Sequence, residues 1–247
     1  MKDFEIVAHR GVTDEAPENT LSAFQRAIEL GADAIEFDVR LTSDQIPVVF
    51  HNYYLNALIP IPGAIFNYNY DELKRLSIQG KTRIGRISTL KEVLHAIGGQ
   101  IGLEIKIKGP EPESAVVIAE VLQEYRNLWQ TMEVTSYEPA LLLEIGKRCC
   151  GLAIDMLFPR SESWMGSDVI AYQALHYARL ANARAVHLHP TQLTDDIVST
   201  IRKNNIEIHT WDVNDRNALN IICDFNIRRV CTDNFQYVFD FRRELIR

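Results

Sequence analysis

A chain of 247 residues, 47% hydrophobic and 24% charged, is long enough for a sizeable core and fits one α/β barrel as well as two small domains. Its net charge of −7, from 26 Lys and Arg against 33 Asp and Glu, leaves no basic surplus for phosphates along a strand and argues against a nucleic-acid partner. The start Met1-Lys-Asp-Phe-Glu lacks a signal-peptide pattern and no segment approaches 18 unbroken apolar residues, so the expectations are a cytoplasmic location and no stable membrane insertion.

Residues 5–9 predict a short buried strand that Gly11 breaks. Asn19 or Thr20 caps a helix whose apolar positions, Leu21, Phe24, Ala27, Ile28 and Leu30, keep helical spacing until Gly31. In Ala34-Ile-Glu-Phe-Asp38 the strand period of two sets Glu36 and Asp38 on the face opposite Phe37. Two acids on one buried strand are costly unless a cation lies between them. Thr42-Ser-Asp-Gln45 reads as a turn and Pro47-Val-Val-Phe-His51 as a second extended run. An antiparallel hairpin centred between Asp44 and Gln45 sets His51 opposite Asp38, with Cβ atoms about 5 Å apart.

Residues 52–85 are irregular and read as an excursion over the active face, with one short helix near 71–76. Ser88 is the expected cap of an amphipathic helix running to Ile97. Strands are then expected near 101–106, 132–136, 152–157, 185–189, 206–211 and 228–232. Helices are expected between them, near 112–126, 138–147, 167–182, 193–203 and 215–225. With 5–9 and 34–39 this makes eight strands, 47–51 being a return arm, and predicts a single TIM (β/α)₈ barrel spanning residues 1–247, with a small hairpin and excursion over its C-terminal face.

Chemistry in such a barrel sits at the carboxyl ends of the strands. Those ends carry His9-Arg10, Glu36 and Asp38, Glu104 and Lys106, Ser136, Asp155, His187 and His189, Trp211, and Asp233. Glu36, Asp38 and Glu104 form an oxygen-rich set suited to one divalent ion, Mg²⁺ or Ca²⁺. Arg10 and Lys106 remain as cations for an anionic substrate. Each piece has a structural alternative: a strand acid paired with a Lys or Arg, a core-bonded His9, a hairpin-end His51. Their joint placement at one rim favours function. His187 and His189 are expected to pack the lumen or support the site, and Trp211 to wall the pocket. Cys149, Cys150, Cys223 and Cys231 lack metal or disulfide spacing and read as reduced thiols, and Glu111-Pro-Glu113 as solvated or structural.

His9-Arg-Gly11, Pro17-Glu-Asn-Thr20, Glu36-Phe-Asp38-Val, Thr42-Ser-Asp44, Pro47-Val-Val-Phe-His51, Leu103-Glu-Ile-Lys106, Thr210-Trp-Asp-Val-Asn214 and Thr232-Asp233 together resemble the glycerophosphodiester phosphodiesterase family. The resemblance runs from residue 6 to about 234. It implies a metal-dependent barrel that hydrolyses glycerophosphodiesters to sn-glycerol 3-phosphate and an alcohol. Carried across, Glu36, Asp38 and Glu104 match the metal ligands, His9 and His51 together the acid–base pair in either order, and Arg10 and Lys106 the phosphate contacts. The chain departs from the family at Asn52, where an Asp usually follows the histidine. A phosphate-ligand and metal-binding barrel that is non-catalytic or altered in substrate, and a phospholipase-type phosphodiesterase, are the alternatives. A homo-oligomer is left open.

Overall fold

The computed structural model describes residues 4–109, 111 and 113–246; the N-terminal Met1–Asp3 and Pro112 of the Glu111–Glu113 stretch lie outside the described residues. The strands are β1 (Glu5–His9), β2 (Ala34–Leu41), β3 (Pro47–Val49), β4 (Ser77–Gln79), β5 (Ile84–Arg86), β6 (Gly102–Ile107), β7 (Met132–Ser136), β8 (Ala153–Leu157), β9 (Ala185–Leu188), β10 (Glu207–Thr210) and β11 (Arg229–Thr232). Eight of them, β1, β2 and β6 to β11, pair in parallel around a closed ring that β1–β2 pairing completes. This is the expected (β/α)₈ barrel, with β3 antiparallel on the extended carboxyl end of β2.

The crossovers are helices whose apolar stripes face the barrel wall. Thr20 caps α1 (Leu21–Glu29), which buries Ala23, Phe24 and Ala27. The cap of α3 (Leu90–Ile97) is Thr89 and not Ser88. Only Thr89 has a glutamate three residues on, and Glu92 returns the second hydrogen bond of a capping box. Pro139 opens the helix Pro139–Arg148, and Asn182, left-handed at φ 51°, closes the helix Ser167–Ala181. A terminal helix, Phe235–Ile246, lay outside the expected elements.

Three apolar regions divide the molecule. The largest joins outward-facing strand residues, Ile35, Phe37, Leu103, Ile105, Val134 and Val186 among them, to the helices. A second lies under the excursion, where Val48, Phe50, Leu55, Ile59, Ile65, Leu73, Ile78 and Ile87 are buried together. The excursion is thus a packed layer containing the β4–β5 hairpin and a helix at Tyr70–Leu73, shorter than expected. Inside the barrel Val7, Ala34 and Cys231 form a small apolar cluster with Trp211 against it, among buried polar side chains such as Glu36, Glu104, Asp155 and His187.

The hairpin after β2 corrects the expected register. Val39 pairs with Val49 and Leu41 with Pro47, so the turn is centred on Asp44 and Phe50, not His51, lies across from Asp38. The loop closes this way because Gln45 takes φ 59° while Thr42 accepts the Ile46 N–H at 2.9 Å and donates to Asp44. A one-residue slip reverses every side chain. His51 follows the end of the strand instead of sitting on a rung of it.

Gly11 shows why a strand must break there. At φ 85° a Cβ would lie 2.8 Å from the backbone carbon of Ala23, inside the first turn of α1. Gly11→Ala is expected to cost about 2–4 kcal/mol from positive-φ strain plus overpacking. Urea unfolding reads this directly, and an unchanged midpoint would mean that α1 moves aside freely.

Candidate active site at the carboxyl rim

Strand register builds the site. His9 pairs with Glu36 and Glu36 with Glu104, so three predicted residues stand abreast on three adjacent strands; Asp38 and Lys106 stand abreast one step nearer the rim. The chain after β1 then turns sharply at Arg10, φ 56°, whose backbone N–H donates to Glu36 at 3.2 Å. Asn19, also left-handed and buried, brackets Asp38: its amide donates to Oδ2 and its carbonyl accepts the Asp38 N–H, both at 3.0 Å.

The three acids are buried, and each keeps one oxygen without a hydrogen bond: Glu36 Oε1, Asp38 Oδ1 and Glu104 Oε2. Lys106 Nζ stands 3.7 Å from the first and 3.8 Å from the second, and Lys108 Nζ is 3.7 Å from Asp38 Oδ1. Burial, reinforced by the charge of Asp38, pushes Glu36 up; burial and Glu133 push Glu104 well up. Burial also pushes on Asp38, but Lys106, Lys108, His51 and Arg10 outweigh it and hold its carboxyl below the ordinary range. Two carboxyls driven toward the neutral form, with hard oxygen donors turned inward, fit a divalent cation of the Mg²⁺ or Ca²⁺ type.

The two histidines have unlike surroundings. His9 Nδ1 lies 2.6 Å from Asp233 Oδ1, leaving Nε2 3.8 Å from Glu36. Burial would lower its pKa, but Glu36 and Asp233 outweigh burial and raise it. Among the described residues the side-chain hydrogen-bond partner of His51 is the neutral Asn52, at 3.2 Å, and burial depresses His51 to about 4 against the pull of Asp38. Arg40, itself buried, fixes the His51 carbonyl at 2.8 Å and lies 3.8 Å over the Tyr53 ring.

A rim cleft of about 170 Å³ gathers His9, Glu36, Glu104, Lys106 and Trp211, together with Tyr137 and Asp233. Asp38, Arg10 and His51 lie outside its lining. Arg10 is committed to Glu18 at 3.0 Å and to Asp38 at 3.3 Å. Trp211 donates its indole N–H to the Phe158 carbonyl and presents its ring as a wall. Asn19, Lys108, Tyr137 and Arg40 were not among the candidates, and Asp233 was named at the rim without a role. Lys108 extends the two-residue spacing of Glu104 and Lys106, and Asp233 ends a strand, so both carried a signal in the sequence.

The His51 environment makes a pH prediction for the metal-free protein. Its folded pKa of about 4 lies below the unfolded 6.5, so between these values the unfolded chain binds more protons. In chelator, stability is expected to fall as pH drops from about 6.5 to about 4, and less steeply in His51→Gln. Equal slopes for the two proteins in urea titrations would contradict this.

A family model described as glycerophosphoryl diester phosphodiesterase matches residues 9–236. A glycerophosphodiester phosphodiesterase of Caldanaerobacter subterraneus subsp. tengcongensis is 29% identical over 241 residues, covering 93% of each protein. The crystal structure of glycerophosphodiester phosphodiesterase from Thermotoga maritima superposes with a TM-score of 0.76 at 26% identity, covering 98% of this chain and 99% of that one. An Oleispira antarctica phosphodiesterase, solved in complex with the product sn-glycerol-3-phosphate, reaches a TM-score of 0.81 at 24% identity, covering 96% and 95%, which speaks to fold. With the family model spanning nearly the whole chain, this protein belongs to the glycerophosphoryl diester phosphodiesterase family and is a phosphoric diester hydrolase.

Proposed function

We propose that this chain hydrolyses glycerophosphodiesters to sn-glycerol 3-phosphate and an alcohol, with Glu36, Asp38 and Glu104 holding one divalent ion, Mg²⁺ or Ca²⁺. The observation that carries the reading is the row His9–Glu36–Glu104 beside Asp38 and Lys106, with one unpaired oxygen on each acid. When bound, the ion would supply positive charge against a phosphoryl oxygen and acidify the attacking glycerol hydroxyl. The Caldanaerobacter relative, a glycerophosphodiester phosphodiesterase covering 93% of each protein, supports the substrate class.

The chain's own groups divide the remaining work. His51, hydrogen-bonded to the amide of Asn52, takes the proton of the glycerol 2-hydroxyl as it attacks phosphorus. His9, braced by Asp233, carries the proton that the leaving alcohol oxygen receives. The cyclic phosphate so formed opens when water attacks phosphorus, with the two histidines exchanging roles. Lys106 and Arg10 stabilise charge growing on the phosphoryl oxygens, and Trp211 and Tyr137 wall the glycerol side.

Asn52 favours one rival reading, a barrel that binds a phosphorylated ligand and metal without turnover, because His51 lacks a charged partner. Incubation with glycerophosphocholine, glycerophosphoethanolamine and glycerophosphoglycerol separates the two. Release of sn-glycerol 3-phosphate from at least one diester is the expected result. No turnover alongside saturable binding of glycerol phosphate would establish the rival.

A further inference from the structure

The amino-terminal end of the lumen holds charged and imidazole side chains that the rim chemistry does not use. Glu133, Asp155, His187 and His209, from β7, β8, β9 and β10, are all buried and offer ligand atoms within 4.8 Å of one another. Three of these atoms form a tight triangle. His187 Nε2 is 3.0 Å from His209 Nδ1 and 3.4 Å from Asp155 Oδ2, and His209 Nδ1 is 3.5 Å from Asp155 Oδ2. Donors at about 2.0–2.2 Å around a tetrahedral centre are themselves separated by about 3.3–3.6 Å.

We propose that these four residues form a second metal site, separate from the rim, that takes one Zn²⁺ in a tetrahedral two-nitrogen, two-oxygen set. Two imidazoles with carboxylates suit zinc better than the hard ion expected of the all-oxygen rim.

Three further observations support it. His187 Nδ1 is fully buried without a hydrogen bond and faces Glu104 Oε1 at 3.5 Å. A cation on Nε2 would leave the proton on Nδ1, directed at that carboxylate, the usual carboxylate–histidine–metal arrangement. Charge also leaves room for a dication. Among the described residues of this network, Arg184 pairs with Glu133 and Asp155, Arg229 pairs with Glu5 and Glu133, and Glu207 faces His209 at 3.5 Å, so four acids stand against two arginines, with Glu104 left to the rim. Arg184 occupies one lone-pair direction on each Asp155 oxygen, and a carboxylate oxygen has a second. Finally, a cavity of about 770 Å³ opens at this end of the barrel and is lined by Glu133, Ala153, Arg184, Glu207 and His209, giving an ion a path in.

The test uses the full chain, stripped with chelator and then held in excess Mg²⁺ to occupy the rim. Titration with Co²⁺, an optical stand-in for Zn²⁺, is expected to give one equivalent of intense visible bands of tetrahedral type. One equivalent of Zn²⁺ should abolish them. The bands should persist in Glu36→Gln and vanish in His209→Gln, a substitution at the cavity mouth. X-ray absorption at the zinc edge of the wild-type protein should find two imidazoles and two oxygens and needs no variant. No Co²⁺ bound in excess Mg²⁺ would overturn the site and leave His187 and His209 as a hydrogen-bonded pair. So would bands of octahedral type, or bands lost in Glu36→Gln and kept in His209→Gln.

Discussion

Replacing His51 with alanine is expected to lower kcat on glycerophosphocholine by about 10²–10⁴-fold, the usual worth of a positioned acid or base, with a small change in KM. His9→Ala should fall in the same range. Their pH profiles should part company. Asp233→Asn removes the carboxylate that raises the His9 pKa, so the alkaline limb of kcat/KM should move to lower pH. His51→Ala should instead remove the acid limb. Full activity in His51→Ala would end its assignment as base, and identical profiles in Asp233→Asn and wild type would end the role given to Asp233.

The second large effect concerns the acids. Glu104→Gln keeps the shape of the side chain and removes its charge. The cation these acids would hold is worth several kcal/mol of transition-state stabilisation, so kcat/KM should fall by about 10³-fold or more. Stability of the metal-free protein should move the other way. Burial and Glu133 raise the Glu104 pKa in the folded state, so its favourable contribution is complete at low pH and is lost as pH rises through the folded value. At pH 7.5 in chelator, Glu104→Gln should therefore melt no lower than wild type. Calorimetric titration with Mg²⁺ and Ca²⁺ should show weakened binding. A variant that melts far lower and still binds the ion would mean that Glu104 is a structural acid.

Much of the arrangement was legible in the sequence because it obeys local periods. Alternation in residues 34–38 and 103–107 placed Glu36, Asp38 and Glu104 on one side of their strands, and parallel pairing then put Glu36 level with Glu104. The β/α alternation after residue 100 made the barrel readable from spacing alone. What escaped depends on geometry without a period. The hairpin register turned on the left-handed conformation of Gln45, for which glutamine gives no cue. The β4–β5 pair has only three residues per strand, too short for alternation to be seen. Asp233 belongs to the site because the ring closes, which brings it beside His9 from 224 residues away. The polar lumen from Glu133 to Arg229 likewise joins strands far apart in sequence.

The most direct test of the account is a phosphorus NMR time course of glycerophosphocholine with the purified protein, in chelator and then after Mg²⁺ or Ca²⁺ is restored. No turnover is expected in chelator and, once the ion returns, sn-glycerol 3-phosphate is expected as the phosphorus-bearing product. Turnover that survives chelation, or phosphocholine as the product, would contradict it.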